Sequence, residues 1–310
     1  MTHPLFRIIR QTCPAAALWA VSVLRLWAGP IPVPNGSFEK PATVFVNTHV
    51  DQWQKTPKPV DYDESGGYQW EQLAGVFTNT PPSSLDHIDN CDGQAIYVFA
   101  VPQIGVFQDY ESTDWSHPDA LHVFDTRFEV GHAYNLVVGV LGGGGGMLEG
   151  VGFDVGLYYR DDLGQRVTVA TTHVTNSVAN FPNHTHLFDY FVNLPVVRPT
   201  DPWAEKHLGI FLESAATSEN QGGYWDVDAV RLWTVKEPVL SIGRATNSTS
   251  LQLSWPSDVG YQYQVSTSPD LLSWSETWTP LAGTGSLLTF AIPGNLGKRY
   301  YFRVDARFEP

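Results

Sequence analysis

Residues 221–232, QGGYWDVDAVRL, hold two carboxylates, Asp226 and Asp228, two positions apart in an otherwise apolar run. Alternate side chains of an extended strand share a face, so both acids would project together. Such a pair either stands in water or binds something, and the pattern alone leaves both readings open. NHTHLFDY (183–190) places His184 and His186 at the same spacing. Two imidazoles and a third ligand, His173 or Asp189, would suit a transition metal. Without a fixed-spacing motif the stretch reads as a polar strand edge. A third group is aromatic: Trp53, Tyr62, Tyr68, Trp70, Tyr110 and Trp115 fall in polar, loop-like segments such as DQWQKTPKPVDYDESGGYQW and QDYESTDWSH. A sugar ring stacks its C–H face on an aromatic ring and bonds its hydroxyls to nearby Asp, Asn, Gln or Glu. Trp53, Tyr68, Trp70 and Trp115, with Gln69 and Asp114 as polar partners, are therefore the candidate ligand-binding residues. For any one of these rings, a place in the core is the competing reading.

Catalytic signatures are missing. The sequence has no G-x-S-x-G elbow and no H-E-x-x-H, and the expected class is non-enzymatic. Acids are numerous, so counting leaves room for a glycosidase pair. The run GGGGGM (142–147) lacks the helix and lysine of a phosphate loop and reads as a flexible connection between strands.

The elements that must position these residues are strands. Of 310 residues, 43% are hydrophobic and only 16% charged, with 27 glycines and 22 prolines. That mixture favours short strands joined by turns. The formal net charge of −14 repels phosphate backbones, so nucleic acid is not an expected partner. Stretches at 95–101, 122–130, 133–141, 151–160, 166–174, 186–194, 207–214 and 224–233 have strand composition, several with alternation. Eight or more strands with turns between them imply an all-β antiparallel sandwich or jelly roll. A break at KEPVL (236–240) precedes further strands at 251–257, 261–268, 287–293 and 299–306. These make a second unit of immunoglobulin-like or fibronectin-like size, with Trp255 in its core and Trp274 over an edge.

The first 28 residues read as an export signal. Arg7 and Arg10 precede the apolar PAAALWAVSVLRLWAG, which is too short for a membrane span, and the proline-rich PIPVPNG follows. The expected organisation is thus a signal peptide over 1–28, a large domain over 29–236 and a small one over 237–310, in a secreted or cell-surface protein. Of the two cysteines, Cys13 lies in the signal. Cys91 would remain alone, as a small, partly buried residue.

NGSFE (35–39), DGQAIYVF (92–99), FEVGHAYNLVVGV (128–140) and YWDVDAVRL (224–232) occur in this order. The series resembles the galactose-binding-like jelly rolls of carbohydrate-binding modules found beside xylanases and glucanases. It departs from their pattern in the closing strand, with Asp-Ala-Val where that family often has Asp-Asp-Val. The resemblance implies a structural calcium ion clipping the first and last strands. Carried over, its ligands are the carboxylates of Glu39 and Asp228, with backbone oxygens near Lys40 and around Asp92 and Gly93; Asp226 is the alternative ligand. Six to eight oxygens of this kind suit calcium. LSWPS, YQYQVSTSPDLLSW and YYFRV in the second unit resemble a C-terminal β-sandwich repeat common in secreted proteins of Verrucomicrobia and related bacteria. The functional expectation is a non-catalytic protein that binds a polysaccharide or glycan. The alternatives are a surface adhesion protein and a glycan-active hydrolase or lyase.

Overall fold

The computed structural model describes residues 28–65, 67–114, 116–244, 250–276, 278–292 and 300–308. The export segment expected over 1–28 lies outside them apart from Ala28, as do Cys13 and Trp115.

The chain is all-β, and its described residues form four antiparallel sheets. In order, its first strands are β1 (Ala28–Ile31), β2 (Val46–Asn47), β3 (Gln54–Lys55), β4 (Ala74–Thr78), β5 (Gln94–Phe99) and β6 (Gly105–Gln108). There follow β7 (His132–Gly144), β8 (Gly152–Arg160), β9 (Arg166–Thr175), β10 (Phe188–Leu194), β11 (Gly209–Ser214) and β12 (Tyr224–Lys236). A smaller set comprises β13 (Ser241–Arg244), β14 (Leu251–Pro256), β15 (Tyr261–Ser268), β16 (Leu281–Ala282), β17 (Leu287–Ala291) and β18 (Tyr301–Phe308).

A seven-stranded sheet runs β10-β7-β12-β5-β4-β2, and β1 pairs with the far end of β12. A five-stranded sheet runs β3-β6-β11-β8-β9. Central strand β7 is apolar almost throughout because both of its edges and its inner face are covered. In β12, Trp225 and Val227 turn inward, and the Trp225 ring stacks on Phe153 of the opposite sheet at 5.3 Å. Burial of such a ring contributes about 2 kcal/mol. At the neighbouring edges the Thr172 hydroxyl of β9 donates to the Phe191 carbonyl of β10 at 2.6 Å.

Two expectations fail here. HVFDTRFEV is no strand: His122 has φ +56°, which breaks the extended chain, and the segment makes a single bridge, Arg127 to His207. Phe124 and Phe128 are nonetheless fully buried, so their spacing reflects a loop tied into the core. The glycine run is no slack connection either. Gly142–Gly144 complete β7, and rings occupy the space their side chains would need.

The smaller sheets are β13-β14-β17 and β16-β15-β18. They enclose Trp255, Tyr261, Tyr263, Val265 and Val304, and this cluster also takes in Ala133 and Val235 from β7 and β12. The Arg303 guanidinium lies over the Trp274 ring at 4.7 Å. Among the described residues no helix is long and apolar enough to cross a membrane.

Candidate functional site

Two polar segments, 48–58 and 64–71, converge on a cleft of about 800 Å³. β3 supplies Gln54 and Lys55 to it by pairing with β6, and a single 3-10 turn, Trp70–Gln72, supplies Trp70 and Glu71. Both Trp53 and Trp70 line it, yet they are only 5% and 2% exposed. Their indole N–H groups explain this anchoring: Trp53 donates to the Asn35 carbonyl at 3.2 Å, and Trp70 to the Thr56 carbonyl at 2.7 Å. The Tyr62 ring stands edge-on to Trp70 at 4.9 Å. Both rings belong to the buried core and reach the cleft only at its base, while its lining also includes Thr48, His49, Gln54, Lys58 and Thr113.

Two ion pairs cross the cleft. Lys55 reaches the Glu71 carboxylate at 3.2 Å and also donates to the Glu71 carbonyl, and Lys58 reaches Glu64 at 3.0 Å. Burial pulls the Lys55 ammonium below its ordinary pKa, and Glu71 pushes it back up. Glu64 is held below the usual carboxylate range by the Trp70 N–H and by Lys58. A glycosidic general acid needs the opposite shift.

The remaining candidates divide. Tyr68 is 57% exposed and leans on Phe99, with ring centroids 5.1 Å apart. Gln69 is exposed, and its backbone N–H donates to the Gln72 side chain at 2.9 Å. Asp114 is buried and organises its own turn, accepting from the Ser116 N–H at 2.9 Å. His184 and His186 take separate partners: the Gly142 carbonyl at 3.1 Å and Asn90 at 3.3 Å. His173 lies 2.6 Å from Asp154, and Asp189 pairs with Arg231.

The positions named for calcium meet where β5 begins. The Gln94 N–H donates to Glu39 Oε1 at 2.9 Å, and Gly93 is pressed so closely on that carboxylate that a Cβ would lie 2.7 Å from it. With φ +96°, Gly93 also holds a conformation that other residues resist. Asp228 is 2% exposed and accepts from the Ala229 N–H at 2.6 Å. The Asp92 N–H and the Cys91 thiol also donate to it, and the Glu39 charge acts on it. Burial pushes Asp228 up to about 7 and drives the buried Cys91 thiol far up as well. The Lys40 carbonyl is turned elsewhere, accepting from Asn35 at 2.8 Å and from the Asp51 N–H at 3.1 Å. Neither Glu39 nor Asp228 takes part in an ion pair among the described residues. Two adjoining carboxylates without a countercharge fit the donor chemistry of a hard cation. Among the described residues no three His, Cys, Asp or Glu side chains converge as a metal-holding group, so side chains alone would not enclose an ion there.

Asp226 differs from its neighbour. Its Oδ1 is sealed from solvent and has no hydrogen-bond partner among the described residues, and burial alone pushes it up to about 8. Asp228 is buried and Asp226 only partly exposed, so neither acid of β12 is freely solvated. Sequence reading missed the aromatic neighbours of Asp226, namely its register partner Tyr97 and Tyr224 on its own strand. The alternation in QAIYVF, with Ala95, Tyr97 and Phe99 on one face, was the available signal.

No family model and no curated protein matches the chain. Among solved structures it is similar to a cyclase from Fischerella sp. TAU, at 20% identity and a TM-score of 0.49, over 67% of this chain and 98% of that one. It is also similar to an arabinose-bound α-L-arabinofuranosidase, at 15% identity and a TM-score of 0.37, over 67% of this chain and 27% of that one. The third is the C-terminal family 22 carbohydrate-binding module of Clostridium thermocellum Xyn10B, at 13% identity and a TM-score of 0.32, over 66% and 97%. None of these likenesses fixes an activity for this chain.

Proposed function

We propose that this is a secreted, non-catalytic glycan-binding protein, with a jelly roll over 29–236 and an immunoglobulin-like or fibronectin-like sandwich over 237–310. The observation that carries the reading is a cleft with polar walls, underlain by the nearly buried Trp53 and Trp70. Apolar floor and hydrogen-bonding rim are what the two chemical sides of a sugar require. Ligand hydroxyls would bond to Gln54, Lys55 and Glu71. The lowered Glu64 and the lysine pairing of both cleft acids favour binding over hydrolysis.

A structural calcium ion belongs to the same reading. Glu39 and Asp228 would hold it together with nearby backbone carbonyls, joining the N-terminal segment to β12. When bound, the ion supplies the countercharge that this pair lacks. The test of the function is a glycan-array screen of residues 29–310 with a reducing-sugar release assay alongside. Binding without release is expected. Release of reducing sugar would replace the reading with a hydrolase or lyase, and an array without binding would reject it.

A further inference from the structure

A second arrangement lies on the outer face of the seven-stranded sheet, apart from the tryptophan floor. Trp225 and Val227 point into the core, so Tyr224 and Asp226 project outward. Asp226 is in register with Tyr97 of β5, which places these two side chains on one face. Phe99 is the hub of the aromatic groups there: its centroid is 5.1 Å from Tyr68, 5.9 Å from Tyr97 and 6.2 Å from Tyr224. The glycine run seats this shelf. A Cβ on Gly144 would meet the Tyr224 ring at 2.4 Å, and one on Gly145 would meet it at 3.1 Å. Tyr68, 57% exposed, forms the lip.

The electrostatics of the shelf have one sign. Ring faces are negative. The Tyr224 hydroxyl lies in the field of both Asp226 and Asp86. Asp226 joins no ion pair among the described residues. Arg231, on the same strand, is engaged by Asp189. Asp226 itself is half-buried, its Oδ1 has no hydrogen-bond donor among the described residues, and an unmatched acceptor is costly.

We propose that this shelf binds a small organic ammonium ion, held against Phe99, Tyr224 and Tyr68 with Asp226 as its carboxylate partner. An N-alkylated ammonium is apolar enough to rest on aromatic rings and carries the charge that their faces and the carboxylate attract. A neutral ligand of the same shape offers neither the rings nor Asp226 an opposite charge. This inference is independent of the glycan reading, which rests on the cleft floored by Trp53 and Trp70.

The experiment is calorimetric titration of the full chain with choline and with 3,3-dimethyl-1-butanol, which has the same shape without the charge. Choline is expected to bind at least about tenfold more tightly than the alcohol. Asp226→Asn, which preserves shape, is expected to weaken choline by about tenfold, and Phe99→Leu by several-fold. If Asp226→Asn does not fold, Phe99→Leu and the alcohol decide. The proposal is overturned if millimolar choline gives no binding, if the alcohol binds as well as choline, or if folded Asp226→Asn binds choline unchanged.

Discussion

The Tyr224 ring fills the space in which a side chain on Gly144 would begin, 2.4 Å from the position of its Cβ. The neighbouring glycines serve other rings in the same way. A Cβ on Gly142 would meet Trp225 and Phe181 in the core, and one on Gly143 would meet His184. Gly144→Ala should therefore displace Tyr224 and destabilise the protein by about 1–3 kcal/mol, as overpacking does. Urea unfolding checks this. Gly146→Ala is a less informative control, because its φ of +73° is strained for alanine although no atom lies near its Cβ.

Stability should fall as pH rises when no metal is present. Burial raises Asp226 to about 8 and Asp228 to about 7. In the unfolded chain both would ionise near pH 4. Between these values the unfolded state has released protons that the folded state retains, so folding weakens from about pH 4 up to about pH 8. Melting temperatures in EDTA at pH 5 and pH 8 measure this, with the higher value expected at pH 5. Asp226→Asn should reduce the difference; an equal slope in that variant would show that Asp226 does not contribute.

Calcium should act in the opposite direction at neutral pH. An ion held by Glu39 and Asp228 stabilises by RT ln(1 + [L]/Kd), about 2.7 kcal/mol at a hundredfold excess over Kd. Magnesium should replace it poorly, because it demands a smaller and stricter shell. Asp228→Asn should remove most of the calcium-dependent rise in melting temperature. A melting temperature indifferent to EDTA, in protein from which no ion is recovered, argues that the site does not exist.

A fragment ending at Lys236 should unfold cooperatively by itself, because the large cluster of buried residues is drawn from positions before 237. It should be less stable than the full chain, since Ala133 and Val235 pack with the small unit and would be uncovered. Failure to fold in the presence of calcium would place the boundary elsewhere.

The strands were legible wherever side-chain alternation or a continuous apolar run reflected burial. Residues 166–174 and 224–233 reappear within Arg166–Thr175 and Tyr224–Lys236. The short edge strands Val46–Asn47 and Gln54–Lys55 were not, because two residues carry no period. HVFDTRFEV misled because buried Phe124 and Phe128 mimic a strand face, and nothing local announces the positive φ of His122. The polarity around Trp53 and Trp70 drew attention to the cleft segments, but polarity says nothing about ring burial. Their anchoring depends on the Asn35 and Thr56 carbonyls, 18 and 14 residues away. The partial burial of Asp226 was hidden for the same reason: its register partner Tyr97 on β5 is far away along the chain.

The central claim is that a glycan occupies the cleft floored by Trp53 and Trp70. Hydrogen-exchange mass spectrometry of the full chain, with and without the glycan selected on the array, addresses it most directly. Slower exchange confined to 48–58 and 64–72 is the expected result. Binding that leaves those segments unprotected, or that protects only other parts of the chain, would contradict it.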